Sequence, residues 1–394
     1  MDAIRRLQLL SSQMSLEPAE EAGIRPAQAA GNPPGCFTPK EQDALYITPA
    51  QLPNGKQIKL LKTLLTSACE RDCYYCPFRA GRDFRRATFK PDEFASLFLR
   101  IHQVGAAEGM FLSSGVAGGG RRTEDKLIDT AEILRHKLGY RGYLHLKIMP
   151  GAEPAQIERV MQLADRVSVN LEAPNTERLS RLAPHKQFVE ELIAPLKLVE
   201  RIRKTQAPSR SWNGRWPSST TQFVVGGADE SDLELLQTVS WLNQHVGLKR
   251  AYFSAFSPVR DTPLENKEAT DPLREHRLYQ ASFLLRDYGF ELEDMPFAVD
   301  GHLPIDIDPK LAWAQRNLVE SPIDIQRAER RDLLRIPGIG PRTANVLLSA
   351  RRQQRIQDLS QLKKLGVQAG RAAPFILLNG RRPTQQLALF TSHM

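Results

Sequence analysis

The stretch Thr66-Ser-Ala-Cys69-Glu-Arg-Asp-Cys73-Tyr-Tyr-Cys76-Pro77 decides the fold of this chain. It places three of the four cysteines in a Cys-x3-Cys-x2-Cys spacing, directly after an apolar, β-prone run at 58–65. Three thiols within eight residues form a poor layout for a disulfide framework and a good one for metal. The spacing therefore predicts a metal centre on the loop that follows the first strand.

The number of ligands narrows the type of metal centre. Cys69, Cys73 and Cys76 can each ligate one iron of a [4Fe–4S] cube and leave the fourth iron open for chemistry. A structural zinc site needs four protein ligands, and no nearby His or Cys supplies the fourth. An electron-transfer cluster would also want a fourth cysteine, and only Cys36 is available. Cys36 can instead be a buried thiol or lie in a disordered segment.

Outward from this loop, from about residue 56 to 290, short apolar runs alternate with longer helical ones. This alternation is typical of βα units around a parallel sheet. The predicted strands are 58–65, 109–113, 142–148, 166–171, 220–225 and 250–255. The predicted helices are 91–103, 123–138, 154–163, 188–204, 231–245 and 271–288. Six such units fit a partial (β/α)6 TIM-like barrel, although a doubly wound sheet has the same order. In both architectures ligands bind at the C-terminal ends of the strands.

In this context the cysteine motif resembles that of the radical S-adenosylmethionine (radical SAM) superfamily. The superfamily signature has this spacing after the first barrel strand and an aromatic residue, here Tyr75, just before the last cysteine. The resemblance implies that the open iron of a [4Fe–4S] cluster chelates the amino and carboxylate groups of SAM. It also implies that an electron from the cluster splits SAM into methionine and a 5′-deoxyadenosyl radical, which abstracts hydrogen.

Two further strand ends resemble SAM-binding elements of the superfamily. After the second strand, Ser113, Ser114 and Gly115 open a glycine-rich loop that is similar to the contact with the SAM amino group. Ser254, at the end of the sixth strand, is also predicted to bind the cofactor. Lys147, at the end of the third strand, is a candidate to neutralise the SAM carboxylate or a substrate phosphate, and so are Arg178 and Lys186, which follow the fourth. Solvation at the surface is the alternative for each.

The fourth and fifth strands are predicted to contact the nucleoside part of SAM. Alternation puts Ser168, Asn170 and Glu172 on one face of the fourth strand, and that polar face suits ribose hydroxyls. It also resembles the ribose-binding Asn-x-acid element of several radical SAM enzymes. Val225 and Gly226, at the end of the fifth strand, resemble the adenine-side element.

The C-terminal part carries a second motif. Residues 328–353 predict two amphipathic helices on either side of the tight turn Ile336-Pro-Gly338-Ile-Gly340, with a helix that begins at Pro341 and directs amides outward. This resembles the helix-hairpin-helix element of DNA repair proteins, which grips the sugar-phosphate backbone without reading sequence. The resemblance implies that nucleic acid is contacted by Gly338, Ile339, Gly340, Arg342 and Thr343.

Charge is distributed unevenly along the chain. The formal net charge is +9, and residues 325–394 hold thirteen Lys and Arg against three Asp and Glu. A nearly neutral body with a basic C-terminal part favours a polyanionic partner, because phosphate chains are attracted and release their counterions. A basic surface that is merely solvated is the alternative.

A base-excision glycosylase is the rival interpretation, since some combine this hairpin with an iron–sulfur cluster. Two features argue against it. The position of the nucleophilic lysine in lyase-type members is occupied by Arg342, whose high pKa denies it a neutral amine. The cysteines also precede the hairpin by more than 250 residues, whereas those glycosylases carry a four-cysteine cluster after it.

These observations predict four segments. Residues 1–50 form an N-terminal extension without assigned chemistry, 51–300 the radical SAM partial barrel, 301–324 a connector, and 325–394 a small all-α helix-hairpin-helix DNA-binding domain. No apolar run approaches the roughly 18 residues of a membrane helix, and the first residues do not resemble a signal peptide. We therefore expect a cytoplasmic protein without a membrane partner.

As a whole the chain resembles bacterial radical SAM proteins associated with DNA modification or repair. The resemblance implies SAM, a [4Fe–4S] cluster, a nucleic-acid substrate (DNA in the first instance), and a reductase or flavodoxin-type electron donor. It also implies an association with a uracil-DNA-glycosylase-like protein. Two alternatives stay open: a DNA-binding repair protein with a structural or redox-sensing cluster, and a radical SAM enzyme that acts on RNA or protein.

Overall fold

The computed structural model describes residues 2–16, 45, 47–51 and 56–383. Cys36 and most of the predicted N-terminal extension lie outside the described residues. The chain divides into two compact units, residues 1–275 and 276–394. The predicted boundaries of the four segments stay a prediction.

One curled sheet of seven strands forms the centre of the first unit, and the strands follow one another in space as they do in sequence. The sheet consists of β1 (Ile47–Gln51), β2 (Gln57–Leu64), β3 (Gly109–Ser113), β4 (Tyr143–Lys147), β5 (Arg166–Ser168), β6 (Ser218–Val225) and β7 (Arg250–Ala255). Strands β2 to β7 are parallel, and β1 pairs antiparallel with β2. The six parallel strands agree with the predicted partial barrel, whereas β1 was not predicted.

Helices follow most strands of the sheet. Those of the first unit are α1 (Ala3–Ser12), α2 (Pro91–Gln103), α3 (Gly120–Glu132), α4 (Pro154–Leu163), α5 (Thr176–Leu182), α6 (Ala194–Thr205) and α7 (Asp232–His245), and α8 (Pro272–Asp287) spans the boundary. The segments Ile133–Lys137 and Phe188–Ile193 are π-helical, and Gln13–Leu16 and Pro208–Arg210 are 3₁₀ turns. The sequence predictions missed α5.

Helix α2 illustrates how the sequence determines an element locally. Pro91 occupies the first helical position, where its missing N–H is not needed, and acidic residues follow in the first turn. Apolar side chains at helical spacing, from Phe94 to Ile101, are fully buried. The predicted bounds of this helix are confirmed.

The two faces of the sheet have opposite chemistry. The outer face carries apolar side chains that are at most 1% exposed: Leu61, Met110, Leu112, Leu144, Leu146, Val167, Phe223 and Phe253. The inner face is mainly polar: Lys62, Phe111, Ser113, His145, Lys147, Arg166, Ser168, Thr220, Gln222 and Tyr252. Partners in the parallel register share a face, so these assignments follow from the pairing.

The second unit is mainly helical. It contains α9 (Pro309–Asn317), α10 (Arg330–Arg335), α11 (Pro341–Gln353), α12 (Leu359–Lys364) and α13 (Ala369–Ala372), with 3₁₀ turns at Leu292–Asp294 and Ala373–Phe375. Strands β8 (Ile323–Asp324) and β9 (Ile376–Leu377) pair in parallel. The predicted all-α composition is therefore wrong in this detail. A separate apolar core, which includes Leu334, Ile339 and Leu347, holds these elements together.

Among the described residues, no helix has the length and apolar character that crossing a bilayer requires.

Candidate active site

The three cysteines of the motif lie on the loop that follows β2 and line one cleft together with Tyr75. All three are free thiols; Cys73 is buried, and Cys69 and Cys76 are partly buried. Burial raises the pKa of both Cys73 and Cys76, and the charges of neighbouring thiols add to the effect. The structure thus brings together every cysteine that the sequence assigned to the metal centre.

The number of thiols in the cleft matches the three ligands of a [4Fe–4S] cube with one open iron. In the part of the chain that the structure describes, no three His, Cys, Asp or Glu side chains are placed to hold a single metal ion. The cleft therefore supplies the three thiols that the sequence assigned to the cluster.

Arg86 holds the cysteine loop in shape. Its guanidinium donates to four backbone carbonyl oxygens, those of Ser67 at 2.9 Å, Phe78 at 3.0 Å, Arg79 at 2.9 Å and Arg82 at 3.2 Å. These carbonyls flank the three cysteines on both sides. Arg86 is therefore a positioning residue of the loop.

Other contacts join the cysteine loop to the loops at neighbouring strand ends. The Glu70 carboxylate accepts the amides of Gly118 and Gly119 at 3.1 and 3.0 Å. The Arg71 guanidinium donates to Glu191 at 2.5 Å. Arg71 also lines the cleft, which the sequence analysis missed because a lone arginine in a loop carries no signal of its own.

Gly115 allows the glycine-rich loop to lie directly against the cysteine loop. A Cβ atom at this position would stand 2.3 Å from the Ala68 carbonyl oxygen, closer than any real contact. Ser114 and Gly115 line the cleft as predicted. Ser113 does not; its side chain lies on the inner face of the sheet and is fully buried.

A buried ion pair stands at the end of β5. Lys186 Nζ lies 3.2 Å from Glu172 Oε1, and Tyr75 donates its hydroxyl to the same carboxylate. Burial alone would raise the pKa of Glu172, but Lys186 and Lys147 outweigh it and lower the pKa below its usual value. Glu172 also has a backbone φ of 67°, which is rare for a residue with a side chain. The backbone is strained where it directs this carboxylate into the cleft.

Of the remaining predicted SAM contacts, one lines the cleft and four do not. Asn170 lines the cleft and donates to Gln222 at 3.2 Å. Ser168 lies deeper on the inner face and is 4% exposed. Val225, Gly226 and Ser254 are absent from the residues that line the cleft. Their roles stay a prediction.

Gly226 has a structural role that can be stated from its surroundings. Its φ is 84°, and a Cβ atom there would lie 2.0 Å from Thr270 Oγ1. Thr270 donates to the Val225 carbonyl at 2.9 Å. The glycine is therefore required for the packing of this strand end.

Met149 and Phe78 also line the cleft, although neither was predicted. The Met149 amide donates to the Glu124 carboxylate at 2.7 Å, and burial raises the pKa of Glu124 to about 8. No sequence pattern links these residues, because they lie on different elements and meet only in the folded chain.

The cleft fits the cofactors that the motif implies. Three thiols supply soft ligands for iron. Asn170, Glu172 and Lys186 are buried polar groups beside them, which suit the ribose, amine and carboxylate groups of SAM. When bound, a [4Fe–4S] cluster would supply the electron that cleaves SAM, and the cysteines and polar groups of the cleft would hold the two cofactors.

Two tryptophans in the loop before β6 make contacts within the fold. Arg135 stands 3.6 Å from the centre of the Trp212 ring. Trp216 donates its indole N–H to the Gln206 carbonyl at 3.0 Å. Both indole rings therefore have contacts within the first unit.

In the second unit, the predicted hairpin residues lie in the turn between α10 and α11 and in the first turn of α11. Gly338 has a φ of 83°, Ile339 is 1% exposed, and Gly340 precedes the first turn of α11, where Arg342 is exposed and Thr343 partly buried. Lys310 Nζ donates to the Ile339 carbonyl at 2.6 Å. The five residues are thus adjacent in the turn and in the helix start that follows it.

The central part of the chain matches the model of a known family. The model of the radical SAM superfamily matches residues 63–242, which include the cysteine loop and strands up to β6. No curated protein matches this chain.

Solved structures share a similar fold at low identity. The [FeFe]-hydrogenase maturase HydG from Carboxydothermus hydrogenoformans is 15% identical, with a TM-score of 0.45 over 57% of this chain and 51% of its own. Methylornithine synthase (PylB) is 13% identical, with a TM-score of 0.45 over 57% of this chain and 61% of its own. The chain spans about half of the first protein and about three fifths of the second. The cysteine loop and its cleft lie within residues 63–242, the part of the chain that is similar to the radical SAM superfamily, whose enzymes use a [4Fe–4S] cluster and SAM.

Proposed function

We propose that this radical SAM enzyme acts on nucleic acid, with DNA as its substrate, and that the second unit holds the polymer by its backbone. The observation that carries the proposal is the turn Ile336-Pro-Gly338-Ile-Gly340 between two helices in a strongly basic segment. The proposal adds a substrate class to the SAM chemistry that the cysteine loop and the family match indicate.

The geometry of the turn suits a phosphate contact. A Cβ atom at Gly338 would lie 2.7 Å from the Gln368 carbonyl oxygen, so only glycine fits this φ and this close approach. Helix α11 begins with Pro341, and no side chain caps its first amides. This helix has 13 residues, and its first amides are open. These amides attract a phosphate oxygen together with the partial positive charge of the helix dipole.

The second unit contains a related layout 28 residues later, which the sequence analysis did not detect. Gly366 has a φ of 86°, close to the 83° of Gly338. The Ala372 amide donates to the Gln368 carbonyl at 3.1 Å, as the Ala344 amide does to Gly340 at 2.8 Å. Buried pairs correspond in the same order: Leu334 with Leu362, Ile339 with Val367, Ala344 with Ala372, and Leu347 with Phe375. Two such turns in one unit favour a polymer with repeated phosphates.

Part of the basic charge has an internal role. Arg335 pairs with Asp294 at 2.7 Å, and Arg351 donates to the Ile325 and Ala328 carbonyls. Exposed positions hold Arg342, Arg352, Arg355, Lys363 and Lys364. The exposed group is what supports the proposed attraction of a polyanion.

The test is the affinity of the full-length protein for single- and double-stranded DNA and for RNA over a salt series. We expect DNA binding that weakens steeply with salt. Arg342→Glu should weaken it by about tenfold and reduce the salt slope by about one. Arg316→Glu is the matched control, because it changes the net charge equally on an exposed position of α9. Fluorescence anisotropy measures both variants.

Binding without salt dependence would contradict the proposal, and so would an equal loss in the Arg316→Glu control. Preference for RNA would support the alternative polymer. In parallel, 5′-deoxyadenosine formation by the reconstituted enzyme should rise when the preferred nucleic acid is added. No stimulation by any nucleic acid would favour a small-molecule or protein substrate.

A further inference from the structure

The inner face of the sheet contains buried polar atoms that have no partner among the described residues. They are Ser113 Oγ, His145 Nε2, Ser168 Oγ and Thr220 Oγ1. Each of these residues is at most 4% exposed. A buried polar group without a hydrogen bond costs free energy, so four on one face require an explanation.

Three of these residues form a row across the sheet with Lys147. Lys147 pairs with Ser168, and Ser168 pairs with Thr220. Leu112 pairs with Leu146, so Ser113 stands beside Lys147 on the other side. We name Ser113, Lys147, Ser168 and Thr220 the hydroxyl row. His145 lies two residues before Lys147 on the same strand and faces the same way.

The hydroxyl row meets the cleft at Lys147. Lys147 belongs to the row and also lines the cleft that contains the three cysteines. Asn170, two residues after Ser168, lines the same cleft. A ligand in the cleft therefore approaches the row from the side of the cysteines.

The charge around the row favours an anion. Within strands β1 to β7 there is no Asp or Glu, while Lys62, Lys147 and Arg166 lie on the inner face. Glu172, after β5, is the carboxylate that faces these groups in the cleft. Buried cations beside hydroxyl groups favour a ligand that offers acceptor oxygens and negative charge.

We propose that the hydroxyl row, together with His145, binds a phosphate group of the substrate. Phosphate offers several acceptor oxygens in different directions, which matches hydroxyls contributed by three separate strands. The inference rests on the proposed function, because a nucleic acid would supply the phosphate. A phosphodiester of a polymer and a monoester of a nucleotide share this chemistry.

The test measures binding of the four 2′-deoxynucleoside 5′-monophosphates, of the matching nucleosides without phosphate, and of single-stranded oligonucleotides. The protein is the full chain with its reconstituted cluster and SAM, and the readout is calorimetry. We expect nucleotides to bind and nucleosides to bind at least about tenfold more weakly, since charge-assisted hydrogen bonds are lost. Tighter binding of oligonucleotides would identify the polymer as the source, and tighter binding of monophosphates the free nucleotide.

The variant Thr220→Val should weaken nucleotide binding by about tenfold or more and leave SAM affinity unchanged. Ser219→Ala is the matched control. Its hydroxyl is also buried without a partner, but it follows the outer-face register of the same strand. The control should bind nucleotide as the parent protein does.

Equal binding of nucleosides and nucleotides would overturn the proposal, and so would the absence of nucleotide binding. Loss of SAM affinity in Thr220→Val would also overturn it and assign the row to the cofactor. If monophosphates bind through the row but no DNA or RNA binds, the proposed polymer substrate fails while the phosphate site stands. The two proposals can therefore fail separately.

Discussion

The outer and inner faces of the barrel sheet are almost equally inaccessible to solvent, yet they differ in how their side chains are satisfied. On the outer face, Phe223 and Phe253 stack with ring centres 6.0 Å apart. On the inner face, hydroxyls such as those of Ser168 and Thr220 have no partner in the described part of the chain. The outer face therefore contributes stability, and the inner face holds polar groups ready for a ligand. Burial alone does not distinguish these two roles. The number of polar atoms on β2 to β7 without a partner among the described residues does, with four on the inner face and Ser219 Oγ on the outer face.

The largest expected effect tests the outer face. Phe223→Ala removes a fully buried ring from β6 and should lower the free energy of unfolding by about 3–5 kcal/mol. Thr220→Val on the inner face of the same strand should change it by less than about 1 kcal/mol, because it replaces an unpartnered hydroxyl with a methyl group. Urea denaturation of the full chain compares the two. Equal losses would remove the distinction between the faces.

A second prediction concerns Glu124, a buried residue of α3 whose Oε1 atom has no hydrogen-bond partner among the described residues. Burial raises its pKa to about 8, against 4.5 in the unfolded chain. Between these pH values the unfolded state releases a proton that the folded state keeps, so stability falls as pH rises. The expected slope is at most about 1.4 kcal/mol per pH unit.

Glu124→Gln supplies the control for this slope. The amide does not titrate, so the variant should lose stability less steeply between pH 5 and 8 when urea denaturation is measured at several pH values. An identical slope in the parent protein and the variant would show that other groups cause it.

The smallest expected effect sharpens the functional interpretation of the inner face. Arg166 donates to the hydroxyls of Ser218 and Tyr252, and in the described part of the chain it donates to no carboxylate. Arg166→Met should therefore change the free energy of unfolding by no more than about 1 kcal/mol. Thermal and urea denaturation measure this change.

Arg135→Met is the contrasting variant. Arg135 pairs with Asp165 at 2.9 Å and donates to backbone carbonyls of Leu163, Tyr140 and Gly142. Its loss removes the cation beside the partly buried Asp165 carboxylate and the donor of three carbonyl oxygens, and should cost about 3–5 kcal/mol. A large loss for Arg166→Met as well would mean that the inner-face cations stabilise the fold.

The sequence predicted most strands and helices within two residues, because apolar periodicity and capping residues act locally. The bounds of β3, β7, α2 and α4 agree with their predictions. The fourth strand was predicted to reach residue 171 but ends at Ser168. Beyond it the chain still donates from Val169 and Glu172 to β6, yet the positive φ of Glu172 breaks the regular pattern.

Two elements had weak local signals. Strand β1 is five residues long, contains Pro49 and lies at the sheet edge, where proline is tolerated. Helix α5 has seven residues, and its main signal is the Asn175 cap, which accepts the Arg178 amide. Short elements bury too few side chains to show a clear period.

By itself the sequence determined the chemistry of the cysteine loop, since three thiols at this spacing are a local property of the chain. It also determined the parallel order of the strands through the alternation of apolar runs. Only the tertiary structure decided that Arg86 holds the loop by four carbonyls and that Glu172 meets Lys186. It alone placed Ser113, Ser168 and Thr220 in one row. These contacts join residues of different strands and loops, and the register of a sheet, which no local pattern encodes, brings them together.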